Sequence, residues 1–163
     1  MSWLYPLIFA FLAAVVIKQL HQKASQCTQK LNSFISNHKS SKSLLLVIAH
    51  PDDESMFFIP MIENLKKFYK INIMCFSNGN SDGLGKIREK ELKSVANFLE
   101  IQNITIIDNG YLKDGMKEEW NVSLIRKIIE EHYQDHKSEI FVTFDQYGVS
   151  SHPNHIAVSK GVK

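Results

Sequence analysis

From Ser43 to the end of the chain, apolar runs of strand length alternate with segments of helical period. Residues 44–49, 71–76, 104–107 and 140–144 read as four strands. Their apolar character is nearly continuous, which suits strands covered on both faces rather than half-exposed ones. Helices are expected over 55–68, 86–100 and 122–134, with a further one starting at Asn154. In the second of these, Ile87, Leu92, Val95, Ala96 and Leu99 take the inward positions. Strands separated by helices predict an α/β domain, a Rossmann-like parallel sheet with flanking helices. With strand order 3-2-1-4 the switch point falls between the first and fourth strands, and ligands bind beyond the carboxyl ends of strands at such a point.

Ahead of this domain, residues 3–17 are continuously apolar or small. Extended to Leu20, with Lys18 snorkelling to the interface, the run nears the lower limit of about 17 residues for a bilayer span. Trp3 and Tyr5 stand where an interfacial aromatic belt would place them. A cleaved signal peptide is the competing reading, but no basic residue precedes the run and no small-x-small site follows it. The expectation is one N-terminal transmembrane helix over 1–20, a basic polar linker over 21–42 and a domain over 43–163.

Charge sharpens this picture. Residues 1–51 carry five lysines and no acid, whereas the remainder is mildly acidic. That asymmetry points to anionic lipid near the N-terminus and not to nucleic acid along the domain. Lysines following the span put the domain on the cytosolic side. Cys27 and Cys75 lie in unlike surroundings, so no disulfide is expected and a reducing compartment fits. The strand–helix pattern breaks off at Lys163 with nothing to cover the outer edge of the fourth strand, which predicts a domain incomplete at its C-terminus.

The chemistry concentrates in two clusters. Ala49-His50-Pro51-Asp52-Asp53-Glu54 follows the first strand, and Ser151-His152-Pro153-Asn154-His155 follows the fourth. A histidine and three acids at the end of a buried strand are costly to desolvate unless paired, and a divalent metal is the natural partner. Capping of the next helix by the acids would explain neither His50 nor the second cluster. His50 and Asp53 are three apart, so one tight turn can aim both at a single ion. His152 and His155 are also three apart and share a helix face.

Together with Met56-Phe57-Phe58, Gly83-Leu84-Gly85, Arg88, Glu91-Leu92 and the stretch from Thr143 to Ser150, these motifs resemble the zinc-dependent de-N-acetylases of the LmbE-like family. The resemblance covers residues 43–163. It is most specific to the eukaryotic branch that deacetylates the glycolipid N-acetylglucosaminyl-phosphatidylinositol in GPI-anchor biosynthesis at the endoplasmic reticulum membrane. It implies that His50, Asp53 and His155 bind Zn²⁺, that Asp52 is the general base and that His152 stabilises the oxyanion or protonates the leaving amine. Arg88 would hold the substrate, and Asp145 on the fourth-strand loop is a further candidate contact. The same ligand set accepts Fe²⁺, Co²⁺ or Mn²⁺. Two other readings stay open: deacetylation of a soluble amino-sugar conjugate, and an incomplete chain that binds metal or a partner without turnover. No feature of the sequence names a protein partner.

Overall fold

One helix, α1 (Leu4–Ser36), makes up the N-terminal of two units, which divide at residues 40 and 41. The computed structural model describes residues 4–36 and 42–163. The helix runs for 33 residues, well into the stretch expected to be a linker. Between Pro6 and Pro51 the sequence has neither Gly nor Pro, and Gln, Lys, Ala and Leu are good helix formers. Residues 37–41 of the expected linker lie outside the described residues. The expected transmembrane helix over 1–20 is corrected: among the described residues no helix is long and apolar enough to cross a membrane. The apolar run is too short, because Lys18, Gln19, His21, Gln22 and Lys23 follow directly. Phe11, Leu12, Val16, Ile17 and Leu20 are all exposed on this helix.

The second unit is organised by β1 (Ser43–Ile48), whose five residues from Leu44 to Ile48 have no solvent exposure. It pairs in parallel with β2 (Lys70–Cys75) on one side and β4 (Ile140–Val142) on the other; β3 (Asn103–Ile106) pairs with β2. The order is β3-β2-β1-β4, as the alternation of elements predicts. In register, Leu46 stands between Ile73 and Val142. The chain therefore passes outward to β3, returns across β1, and leaves the switch point between β1 and β4.

The helices are α2 (Ile59–Leu65), α3 (Gly85–Phe98), α4 (Val122–His136), the short α5 (Gly148–Ser151) and α6 (Pro153–Val162). Right-handed crossovers put α2 and α3 on one face and α4 on the other, where α4 packs against α6. The approach is close: a Cβ on Gly161 would lie 2.3 Å from Ile125 Cγ2. The expected helix over 55–68 is a π-turn, Glu54–Phe58, followed by the shorter α2. Pro60 explains the break, since it has no N–H to donate into a regular helical ladder. Leu92 and Ala96 of α3 and Leu99 just beyond it are buried as expected, whereas Val95 is half-buried and Ile87 is exposed.

Leu46→Ala should lower stability by about 2–5 kcal/mol, as deletion of a fully buried side chain does. Chemical denaturation followed by circular dichroism would measure it, with an unchanged dependence on denaturant.

Candidate active site

The end of β1 turns sharply through Ala49-His50-Pro51 into the π-turn. Asp53 makes this turn possible, because its Oδ2 accepts hydrogen bonds from the backbone N–H groups of Ala49 (3.0 Å) and His50 (2.8 Å). That leaves Oδ1 to face His155 Nε2 at 3.2 Å. His155 is set by the first turn of α6. Its Nδ1 donates to the Gly148 carbonyl at 3.1 Å, and its ring stacks on Phe144 with centroids 4.2 Å apart. His50 Nδ1 stands 3.3 Å from His155 Nε2, and 3.9 Å from the nearer Asp53 oxygen. His50, Asp53 and His155 are each at most 5% exposed.

The topology thus joins residues about a hundred positions apart. Donor atoms around a tetrahedral zinc ion lie about 3.3 Å from one another, the chord of bonds of about 2.0–2.1 Å. The separations of His155 Nε2 from Asp53 Oδ1 and His50 Nδ1 match that spacing. His152 completes a three-histidine group whose ligand atoms lie within 4.8 Å of one another and could hold a metal ion. Its ring is 4.8 Å from that of His155 and 4.8 Å from that of His50. His152 also caps α6: Nδ1 accepts from Asn154 N–H at 3.2 Å, which leaves the proton of the neutral ring on Nε2.

Burial holds the His152 pKa below the ordinary range, aided by the neighbouring His50 and His155. For His155, burial pulls in the same direction, but the Asp53 hydrogen bond and charge carry the pKa upward. Asp52 is lifted by burial against the opposing pull of Arg88.

Asp52 adopts φ 111°, a conformation unusual for a non-glycine residue. Two side chains hold it there. Glu54, 1% exposed, accepts the Asp52 N–H at 3.0 Å, and Arg88 Nη2 donates to Asp52 Oδ2 at 2.8 Å. Arg88 Nη2 also donates to Pro51 O (2.6 Å), while Nη1 donates to Gly79 O (2.9 Å) and Asp114 Oδ2 (3.2 Å). All four Nη hydrogens therefore meet protein acceptors. The structure places Arg88 as a clamp between Asp52 and Asp114. Asp145 is exposed and its Oδ1 accepts the N–H groups of Tyr147 and Val149, closing the loop after β4.

Two residues of this site escape a reading of the sequence. Asp114, with a side chain 10% exposed, puts Oδ1 3.1 Å from His50 Nε2. Fully buried Asn154 puts its Oδ1 3.0 Å from the same nitrogen. An Asp-Gly turn after the third strand, at the carboxyl edge of the sheet, was the available signal for Asp114. Beside the cluster a polar cavity of about 420 Å³ opens between the β2 and β3 loops, lined by Ser77, Asn78, Asn80, Asp108, Asp114 and Glu118 among others.

Residues 45–163 match the family model of PIG-L, the GlcNAc-PI de-N-acetylases. The chain belongs to this family. It is 42% identical over 124 residues to a probable N-acetylglucosaminyl-phosphatidylinositol de-N-acetylase of Schizosaccharomyces pombe, covering 74% of this chain and 50% of that protein. The Bos taurus N-acetylglucosaminyl-phosphatidylinositol de-N-acetylase is 38% identical over 122 residues, covering 73% and 48%. The chain thus spans about half the length of these PIG-L relatives. Among solved structures, the N,N'-diacetylchitobiose deacetylase of Pyrococcus horikoshii superposes with a TM-score of 0.63 at 20% identity, over 76% of this chain and 49% of that one. That likeness shows a shared α/β fold with a parallel sheet and flanking helices.

Gly148 is the hinge on which the PIG-L second cluster hangs. At φ +64° a Cβ there would lie 2.9 Å from the His155 Cβ and 3.0 Å from the Ile156 nitrogen. Gly148→Ala should cost about 1–3 kcal/mol of stability, the range for such backbone strain, read as a lower denaturation midpoint.

Proposed function

We propose that this chain carries the catalytic centre of a metal-dependent amidohydrolase that releases acetate from N-acetylglucosaminyl-phosphatidylinositol, leaving the free amine of glucosaminyl-phosphatidylinositol. The observation that carries the reading is that His155 Nε2 lies at ligand spacing from both Asp53 Oδ1 (3.2 Å) and His50 Nδ1 (3.3 Å), while the other ring nitrogens and Asp53 Oδ2 are engaged elsewhere. Those three residues would hold the ion, with Zn²⁺ fitting two imidazoles and a carboxylate. When bound, such an ion supplies Lewis acidity and brings the pKa of a water to about 7.

The remaining roles fall to neighbouring side chains. Asp52, held by Glu54 and Arg88, takes the proton of the attacking water and delivers it to the departing nitrogen as the C–N bond breaks. His152, whose Nδ1 is taken by the Asn154 N–H so that the neutral ring carries its proton on Nε2, donates from Nε2 to the carbonyl oxygen as negative charge develops there. The oxygen-rich cavity between the β2 and β3 loops takes the hydroxyl-bearing rings of the substrate. The names of the PIG-L relatives support a phosphatidylinositol-linked sugar, and the motif resemblance adds a setting at the endoplasmic reticulum. The exposed apolar side chains of α1, followed by Lys18, Lys23 and Lys30, suit attachment at the lipid surface where such a substrate resides.

Acetate release from N-acetylglucosaminyl-phosphatidylinositol in vesicles should be abolished by a chelator and restored by Zn²⁺. Asp52→Asn should lower the rate by about 10²–10⁴-fold, as loss of a general base does. Release from a water-soluble N-acetylglucosaminide alone would redirect the reading to a soluble conjugate. No release from either substrate would count against turnover by this chain.

A further inference from the structure

The sequence of the β3–α4 loop carries no metal-binding motif, yet the loop closes over the rear of His50. His50 has two ring nitrogens with contrasting surroundings. Nδ1 looks toward His155 Nε2, 3.3 Å away. Nε2 faces two oxygens, Asp114 Oδ1 at 3.1 Å and Asn154 Oδ1 at 3.0 Å. The orientation of the Asn154 amide is fixed independently of His50. Its Nδ2 donates to the Glu118 carbonyl at 2.8 Å, and its Oδ1 accepts the Gly115 N–H at 3.2 Å. Thus the atom that Asn154 presents to His50 is an acceptor, and a carboxylate oxygen is an acceptor too. A ring nitrogen between two acceptors must carry a hydrogen. The proton of the neutral ring is therefore on Nε2, and Nδ1 keeps its lone pair.

We propose that Asp114 is the positioning residue of a metal centre: with Asn154 it holds His50 in the Nε2–H tautomer, so that Nδ1 is presented as a ligand. This rests on the reading of His50 as a ligand given above and adds the residue that makes it one. Partners of this kind orient the imidazole and raise its basicity. Asp114 is itself held in place, because its second oxygen takes Arg88 Nη1 at 3.2 Å. Since that guanidinium also grips Asp52, the orientation of the ligand and the placement of the base share one rigid support. Asp114 additionally lines the polar cavity, so the same residue borders both metal cluster and substrate space.

The test uses metal affinity and a spectroscopic signature rather than turnover. In the full chain loaded with Zn²⁺, ¹⁵N NMR of the histidine rings should show His50 Nε2 as the protonated nitrogen. Competition with a chromogenic chelator should show Zn²⁺ bound about 10–100-fold more weakly by Asp114→Asn, the usual effect of removing such a partner. Asp114→Glu should recover part of the loss. A His50 ring protonated on Nδ1, or Zn²⁺ affinity in Asp114→Asn within about twofold of wild type, overturns the inference and leaves the metal reading standing. A wild-type chain that takes up no Zn²⁺ overturns both. Should Asp114→Asn fail to fold, as seen by circular dichroism, the wild-type ring signals decide alone.

Discussion

The constraint on which this structure turns is the burial of ionisable side chains at the end of a strand that itself sees no water. His50, Asp53 and His155 lie within the sheet's carboxyl edge at no more than 5% exposure. A carboxylate in such a place costs several kcal/mol unless each lone pair is met. Asp53 meets the requirement by division of labour. One oxygen takes the two backbone N–H groups that would otherwise be orphaned where β1 ends, and the other faces His155. The turn and the cluster are consequently one feature. Asp53 cannot be replaced by a residue that only caps the turn or only faces His155.

Backbone strain and side-chain clamping follow from that arrangement. Directing Asp53 inward forces its neighbour Asp52 outward, and the chain accommodates this through φ 111° at Asp52. Such a conformation costs on the order of 1–3 kcal/mol and persists only where surrounding groups over-determine it. Glu54 and Arg88 supply that restraint from opposite directions. Arg88 is admitted by Gly79, where any Cβ would lie within 2.3–2.8 Å of the guanidinium. The glycine-bearing loop after β2 therefore makes room for a clamp.

Much of this was legible in the sequence because it depends on periodicity and topology. Four apolar runs separated by helical segments give the parallel sheet, although β3 and β4 are only half-buried, and the order 3-2-1-4 brings His50 and Asp53 to His152 and His155. The parts that stayed hidden depend on contacts that no period encodes. Asp114 lies in an irregular loop, and its closeness to His50 comes from the course of that loop over the sheet edge. Asn154 reads as an interruption of the histidine pair, yet its amide goes to His50, while only its backbone reaches His152. The clamp made by Arg88 was hidden for the same reason, because its acceptors, Gly79 O, Pro51 O, Asp52 and Asp114, come from three separate loops. At the N-terminus the apolar run was visible but its length was decisive, and α1 continues as helix beyond the point where apolar character ends.

The site also separates the two tasks that the proposed reaction must join. Ligands and the proposed proton-transfer groups come from the loops after β1 and β4, whereas the polar cavity is built from those after β2 and β3. The lining of the cavity can thus vary without disturbing the histidine and aspartate cluster on the other side. Asp114 is where the two halves meet: one carboxylate borders the cavity, braces Arg88 and faces His50. A ligand filling that cavity would displace water from around this carboxylate, lower the local dielectric and strengthen its pull on the His50 N–H. Substrate recognition and ligand basicity would then be coupled through a single side chain, with no movement of the backbone required.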